Sequence, residues 1–246
     1  MPYPDSGDVA AADSDSIAAD SAFWFAFDVG AVHVVSASSE HPYEESSKQH
    51  RWLKQELAKS QRMKEQNGTW IVFAIHRPLY SSDMSDLHDH LPGSRMIRAL
   101  EPLLLDAKVD LILTGHQHGY ERIHPNVNGT VTDRTDVDNA YIRPRGPVHL
   151  LVGSAGAMQN ERWLSPKPSW SAKRFAFGPE VSRRMLDSYG FVRVDVAAFQ
   201  VIFASGDIEF ASMRPKQKGC SIVSLTQIGC VSVRSPRSTA DGPACR

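Results

Sequence analysis

The sequence predicts an α/β fold, and three observations carry that prediction. Two apolar runs of strand length, residues 70–75 and 109–114, each end at a histidine-bearing turn. Between them lies a segment with apolar residues at helical spacing, the crossover that a parallel strand pair requires. Residues 191–196 alternate apolar and polar, the mark of a sheet with one solvated face.

Length and charge bound the rest. The 246 residues allow one ordinary domain with a real core. Lys and Arg number 27 against 28 Asp and Glu, with no sustained basic patch, which argues against a dedicated nucleic-acid or polyanion binder. No run of about 18 apolar residues is present, so no membrane span is expected. The N-terminus has no charged segment followed by an apolar one, so no signal peptide is visible. Cys220, Cys230 and Cys245 all lie in the tail, where one disulfide and one leftover thiol are possible.

Taken in order, residues 1–20 hold five aspartates and no Lys or Arg, a solvated lead. The folded part is expected over 21–212. Residues 23–35 read as two strands joined by a tight turn at 28–31. Ser46 or Ser47 caps a helix reaching about Lys59, with Trp52, Leu53 and Leu57 on its apolar stripe. Asn67-Gly-Thr69 makes a turn and matches a glycosylation acceptor, as does Asn128-Gly-Thr130. The strand 70–75 follows, then a polar loop over 80–90 carrying His88 and His90. Asp83, Asp86 and Asp89 in that loop lack the glycine and glutamate of a calcium loop.

Ser94 caps a second helix with Met96, Ile97, Leu100, Leu103 and Leu104 on its buried side, and Pro102 bends or restarts it. The strand ending at Gly115 comes next, where glycine lets the chain turn. Glu121 and Arg122 beyond it are a surface ion pair or support for the histidines. Residues 126–145 read as loop and 148–152 as a further buried strand. Gly153 to Gly156 bracket a turn that no lysine follows, so it is not a P-loop. Residues 165–177 form a long loop over the sheet edge, 191–196 pairs with 200–204, and 213–246 is a basic tail.

The chemistry concentrates at the strand ends. In an open α/β sheet, strands fix position and the loops after them leave side chains accessible. If both apolar runs join one parallel sheet, His76, His116 and His118 converge at one rim. His116 and His118 could hold one ion or one each of two. Such imidazoles suit Zn, Fe, Mn or Cu rather than Ca or Mg. His88 and His90, in the adjoining loop, are candidate proton donors because a histidine is protonated at mildly acid pH.

These residues also carry a family resemblance. Ala-Ile-His76-Arg-Pro-Leu-Tyr-Ser-Ser82, Leu-Glu-Pro-Leu-Leu104, Val-Asp-Leu-Ile-Leu-Thr-Gly-His116-Gln-His118-Gly-Tyr-Glu-Arg122 and Asn-Gly-Thr130 occur in the order and spacing of purple acid phosphatases. Residues 146–156 and 168–172 resemble the same family's later segments, so the likeness runs over most of 21–206. Purple acid phosphatases belong to the calcineurin-like metallophosphoesterases. The resemblance implies a metallophosphoesterase-type sandwich of two sheets flanked by helices, present here as its later half. It implies hydrolysis of phosphate monoesters by a hydroxide held between two metals, Fe(III) with Zn(II), Mn(II) or Fe(II). His76 and His116 would bind the divalent ion and His118 the ferric one, with His88 or His90 protonating the leaving group.

Asp28-Val-Gly30 matches the family's opening Asp-x-Gly only superficially, since a similar segment lies mid-protein in the family with its aspartate in a turn. The family's Gly-Asp-x-x-Tyr and Gly-Asn-His are missing, so part of the metal site is not in this sequence. A truncated or degenerate homologue without turnover is therefore the rival expectation, and a phosphodiesterase or nucleotide hydrolase a third. Without the family's tyrosinate the protein should be colourless. The family and the two acceptor triplets together imply a secreted, vacuolar or lysosomal setting.

Overall fold

The computed structural model describes residues 22–135, 140–153, 162–174, 191–195, 200–204 and 208–214. The acidic lead 1–20, the three cysteines, the turn beyond Gly153 and all but two residues of the basic tail lie outside them.

β1 (Phe25–Val29) and β2 (Val32–Ala37) form an antiparallel hairpin closed by Gly30 and Ala31. Gly30 takes φ 59°, as a two-residue hairpin turn requires at its first central position. Asp28, expected in the turn, is instead a strand residue opposite His33, with its carboxylate 2.7 Å from His33 Nδ1. Glu56 Oε1 stands 3.0 Å from the other ring nitrogen, so this histidine ties the hairpin to the first helix.

That helix, α1 (Lys48–Asn67), starts at Ser47, whose side chain accepts from His50 N. It ends at Gly68, held at φ 71° as a left-handed cap. It therefore outruns the expected end at Lys59. The added turns are good helix formers, and Lys64 anchors them with its Nζ 2.6 Å from Asp110 Oδ1.

β3 (Trp70–Ile75) follows, then a short 3₁₀ turn at Leu87–Asp89, α2 (Arg95–Asp106), capped by Ser94 and continuous through Pro102, and β4 (Leu111–Thr114). β5 (Tyr120–Ile123) precedes a stretch expected to be loop. That stretch instead holds the small hairpin β6 (Asn126–Val127) and β7 (Thr130–Val131) and the strand β8 (Ala140–Ile142). Polar side chains hid the hairpin, whose turn is made by Asn128 and Gly129 at φ 45° and 81°.

β9 (Val148–Val152) is the expected buried strand. The predicted edge loop at 165–177 contains a strand of its own, β10 (Ser171–Arg174), which extends the sheet by pairing with β5. β11 (Phe191–Asp195) and β12 (Gln200–Ala204) pair as expected, and β13 (Ile208–Arg214) runs two residues into the predicted tail.

The large sheet has the order β1-β2-β3-β4-β9-β5-β10, with β2, β3, β4 and β9 parallel. A second sheet has the order β11-β12-β13-β8. Alternate residues of the parallel strands feed opposite faces. Ile71, Phe73 and Ile75 join the core under α1 and α2, with Trp52, Leu53, Leu57, Leu100 and Leu104. Val72, Leu111, Val148 and Leu150 face the other side, where Tyr141 of β8 brings the second sheet against them. At β1 this second face stays open, with Phe25 at 40%, Phe27 at 45% and Val29 at 51% exposure. Among the described residues no helix is long and apolar enough to cross a membrane.

Candidate functional site

The site forms where β3 and β4 end side by side. His76 directly follows β3, and Gly115 directly follows β4. Gly115 N donates to His76 O at 2.9 Å, stitching the two ends together. The left-handed turn falls on His116 itself, at φ 68°, and not on Gly115. For a non-glycine residue that conformation costs about 1 kcal/mol or more, and such strain persists where the surroundings over-determine it.

The over-determination comes from Gly153 at the end of β9. A Cβ there would sit 1.8 Å from Gln117 O and 3.2 Å from His118 Cα, because the histidine loop lies directly across it. Gly153 N also donates to Gly119 O at 2.9 Å. Backbone fit is therefore the reason for this glycine.

The rings of His76 and His116 stand edge to face, 5.2 Å between centroids at 76°. His90 adds a third imidazole, 6.1 Å from His116. Although expected in a polar loop, His90 is fully buried, as are residues 79–82. Its Nδ1 must donate to the Pro78 carbonyl at 2.7 Å, which leaves Nε2 as a buried lone pair with no partner among the described residues. Burial lowers the His90 pKa, with the Pro78 hydrogen bond opposing.

His116 is likewise pushed down, first by burial, then by the Arg77 charge, while Asp86 opposes with Oδ2 3.5 Å from Nε2. Arg77 closes the rim, with Nε donating to Glu40 Oε1 at 2.8 Å. His118 is exposed beside buried Gln117, whose amide donates to Ser85 O at 3.1 Å. His88 is exposed, 3.2 Å from Asp89 Oδ1. The structure thus brings together the rings of His76, His116 and His90, of which His90 is buried and His76 is exposed, and His88 and His118 are exposed as well. Among the described residues, no group of three His, Cys, Asp or Glu converges at ligand geometry.

Two buried side chains support this rim. Glu121, expected as a surface pair or support, is completely buried. It accepts from Ser82 N at 2.7 Å, Ser82 Oγ at 2.6 Å and Ser171 Oγ at 2.5 Å. Burial pushes its carboxyl up, against those hydrogen bonds. Tyr80, fully buried, donates to Glu101 Oε1 at 2.5 Å, and Glu101 in turn accepts from Asn128 N. The sequence signal for Glu121 was a charged pair, Glu121 and Arg122, set between Tyr120 and Ile123.

The chain is similar to known proteins. Residues 22–120 match the family model described as Calcineurin-like phosphoesterase. The chain is 33% identical over 178 residues to purple acid phosphatase 18 of Arabidopsis thaliana, covering 72% of this chain and 34% of that protein. It is 33% identical over 194 residues to acid phosphatase type 7 of Mus musculus, covering 70% and 40%. A purple acid phosphatase structure from yellow lupin (Lupinus luteus) seeds superposes with a TM-score of 0.61 at 24% identity, covering 77% of this chain and 32% of that one.

The chain therefore carries a calcineurin-like phosphoesterase domain with the metallophosphoesterase fold. Within that class its homologues are purple acid phosphatases, and it spans between a third and two fifths of the length of those two curated relatives.

The donor chemistry fits a metal in part. Two adjoining imidazoles and the orphaned Nε2 of His90 are nitrogen donors suited to zinc or iron. A complete dinuclear set needs oxygen donors beyond the Asp86 carboxylate.

Proposed function

We propose that this chain contributes to a metal-dependent phosphatase site for phosphate monoesters. His76 and His116 would hold one divalent ion, Zn(II), Mn(II) or Fe(II), and His118 would reach a neighbouring ferric ion. The observation that carries this reading is the edge-to-face pair of His76 and His116 at the rim of a phosphoesterase-type sheet. When bound, the ions supply Lewis acidity toward phosphoryl oxygen.

The chain's own residues do the rest. His90, with Nδ1–H committed to Pro78, presents a neutral Nε2 that can accept or relay a proton beside the rim. The same burial that lowers its pKa makes it a weaker base, so charging it for donation to a leaving group needs acid conditions. Exposed His88 lacks that placement, and the geometry favours His90 over it for the proton-handling role. Arg77 brings positive charge to the rim, balanced by Glu40.

A second reading is a non-catalytic homologue that binds metal or phosphate without turnover. The test is hydrolysis of p-nitrophenyl phosphate at about pH 5 by the metal-loaded chain beside a His116→Ala, His118→Ala variant. Turnover that drops by about a hundredfold or more in the variant supports the phosphatase reading. A chain that binds metal but never turns over contradicts it and leaves the second.

A further inference from the structure

The loop after His76 would be expected to move independently of the loop after β4, since the two join only through long stretches of chain. Three segments instead meet on one side chain. Glu121, on β5, has no solvent exposure. Its carboxylate takes the backbone N–H and the hydroxyl of Ser82, six residues beyond His76, and the hydroxyl of Ser171 on β10.

The Arg174 charge lies close enough to favour the ionised form of this carboxylate. Arg174 reaches it through the Ser82 hydroxyl, to which its Nη1 donates at 3.0 Å. Ser82 therefore has its N–H, its O–H and its oxygen all committed to one arrangement. Its carbonyl is also used, accepting from Leu164 N at 2.7 Å. A residue with every polar group engaged in a buried site has one place to be.

Ser82 lies midway along the segment from His76 to His90, and Ser81 N also donates to His90 O. Glu121 lies on the continuation of the loop that bears His116. We propose that Glu121 is a positioning residue that fixes the His76–His90 loop against the His116 loop, so that the three imidazoles keep a common rim. This deepens the metal-site reading above and rests on it for its purpose. The hydrogen bonds to Glu121 themselves involve no ion.

Glu121→Gln is the informative change. Its retained oxygen can keep the two serine hydroxyls, but its amide nitrogen then faces Ser82 N–H, donor against donor. One charge-assisted hydrogen bond is lost at the backbone of the loop. Ser171→Ala removes a single donor and serves as the milder variant should the first fail to fold.

Amide hydrogen exchange on the full, metal-free chain reads the loop directly. Exchange across residues 77–90 should quicken about tenfold or more, the loss of one such bond, while α1 and β2 keep their protection. Unchanged exchange at 77–90, or equal loosening of α1 and β2, overturns the inference.

Co(II) titration gives the second readout. Affinity should fall about tenfold in Glu121→Gln with a shifted visible band, while Leu57→Ala, a remote core change on α1, lowers Tm and leaves the band alone. A Leu57→Ala chain that loses Co(II) as readily overturns the positioning role. If the wild-type chain binds no Co(II) but the exchange result holds, the metal reading falls and the positioning of the loops stands.

Discussion

His149 shows how much one residue can cost this fold. It sits in the register of β9 between Ile112 of β4 and Ile123 of β5, with the Tyr80 ring edge-on at 5.3 Å. Burial alone pushes its pKa down to about 3. The unfolded chain, near 6.5, binds the proton that the folded chain refuses. Its contribution is therefore whole above about pH 6.5 and is lost as pH falls toward the folded value, about 1.4 kcal/mol per unit. His124, pushed to about 4 chiefly by burial, acts in the same direction. Urea midpoints at pH 7.5 and 5 should show a clear loss for the native chain and a smaller one for His149→Leu. The same slope in both would show that His149 is not the group responsible. At this scale the sequence reveals a residue when local pattern marks it. His76 and His116 are legible because apolar runs end at them. Glu121 is legible as a support, but its partners are not, because the two serines lie 39 and 50 residues away. His90 is legible as a candidate, but its burial is hidden by the aspartates around it.

The elements were readable where periodicity ran long. α1, α2, β3, β4 and β9 each carry an apolar pattern that admits one reading. β6, β7 and β10 were missed because their two to four residues are largely polar, without the apolar run that marks the equally short β4, and pairing with neighbouring strands makes them strands. The seam between β9 and the histidine loop is the contact between elements on which the site most depends. Gly153→Ala would place a methyl carbon where Gln117 O now sits, so the loop of His116 and His118 must shift or the end of β9 must open. Overpacking of this kind costs about 1–3 kcal/mol. A lowered Tm with altered imidazole resonances for His116 is the expected result in an NMR comparison. Unchanged resonances would mean that the loop does not rest on Gly153.

The whole molecule is a sheet with a covered face and a partly open one. Strands buried on both faces are what a parallel sheet demands, and at β4 and β9 the demand is met by α1 and α2 on one side and Tyr141 on the other. At β1 the aromatic face of Phe25 and Phe27 is left to solvent. We propose that His76 and His116 together hold one metal ion at this rim. Co(II) binding to the full chain, followed by visible absorption, tests it most directly. About one ion per chain is predicted, lost in His76→Ala and in His116→Ala and kept in His88→Ala. A chain that takes up no Co(II), or binds it equally well without His76 and His116, would contradict the account.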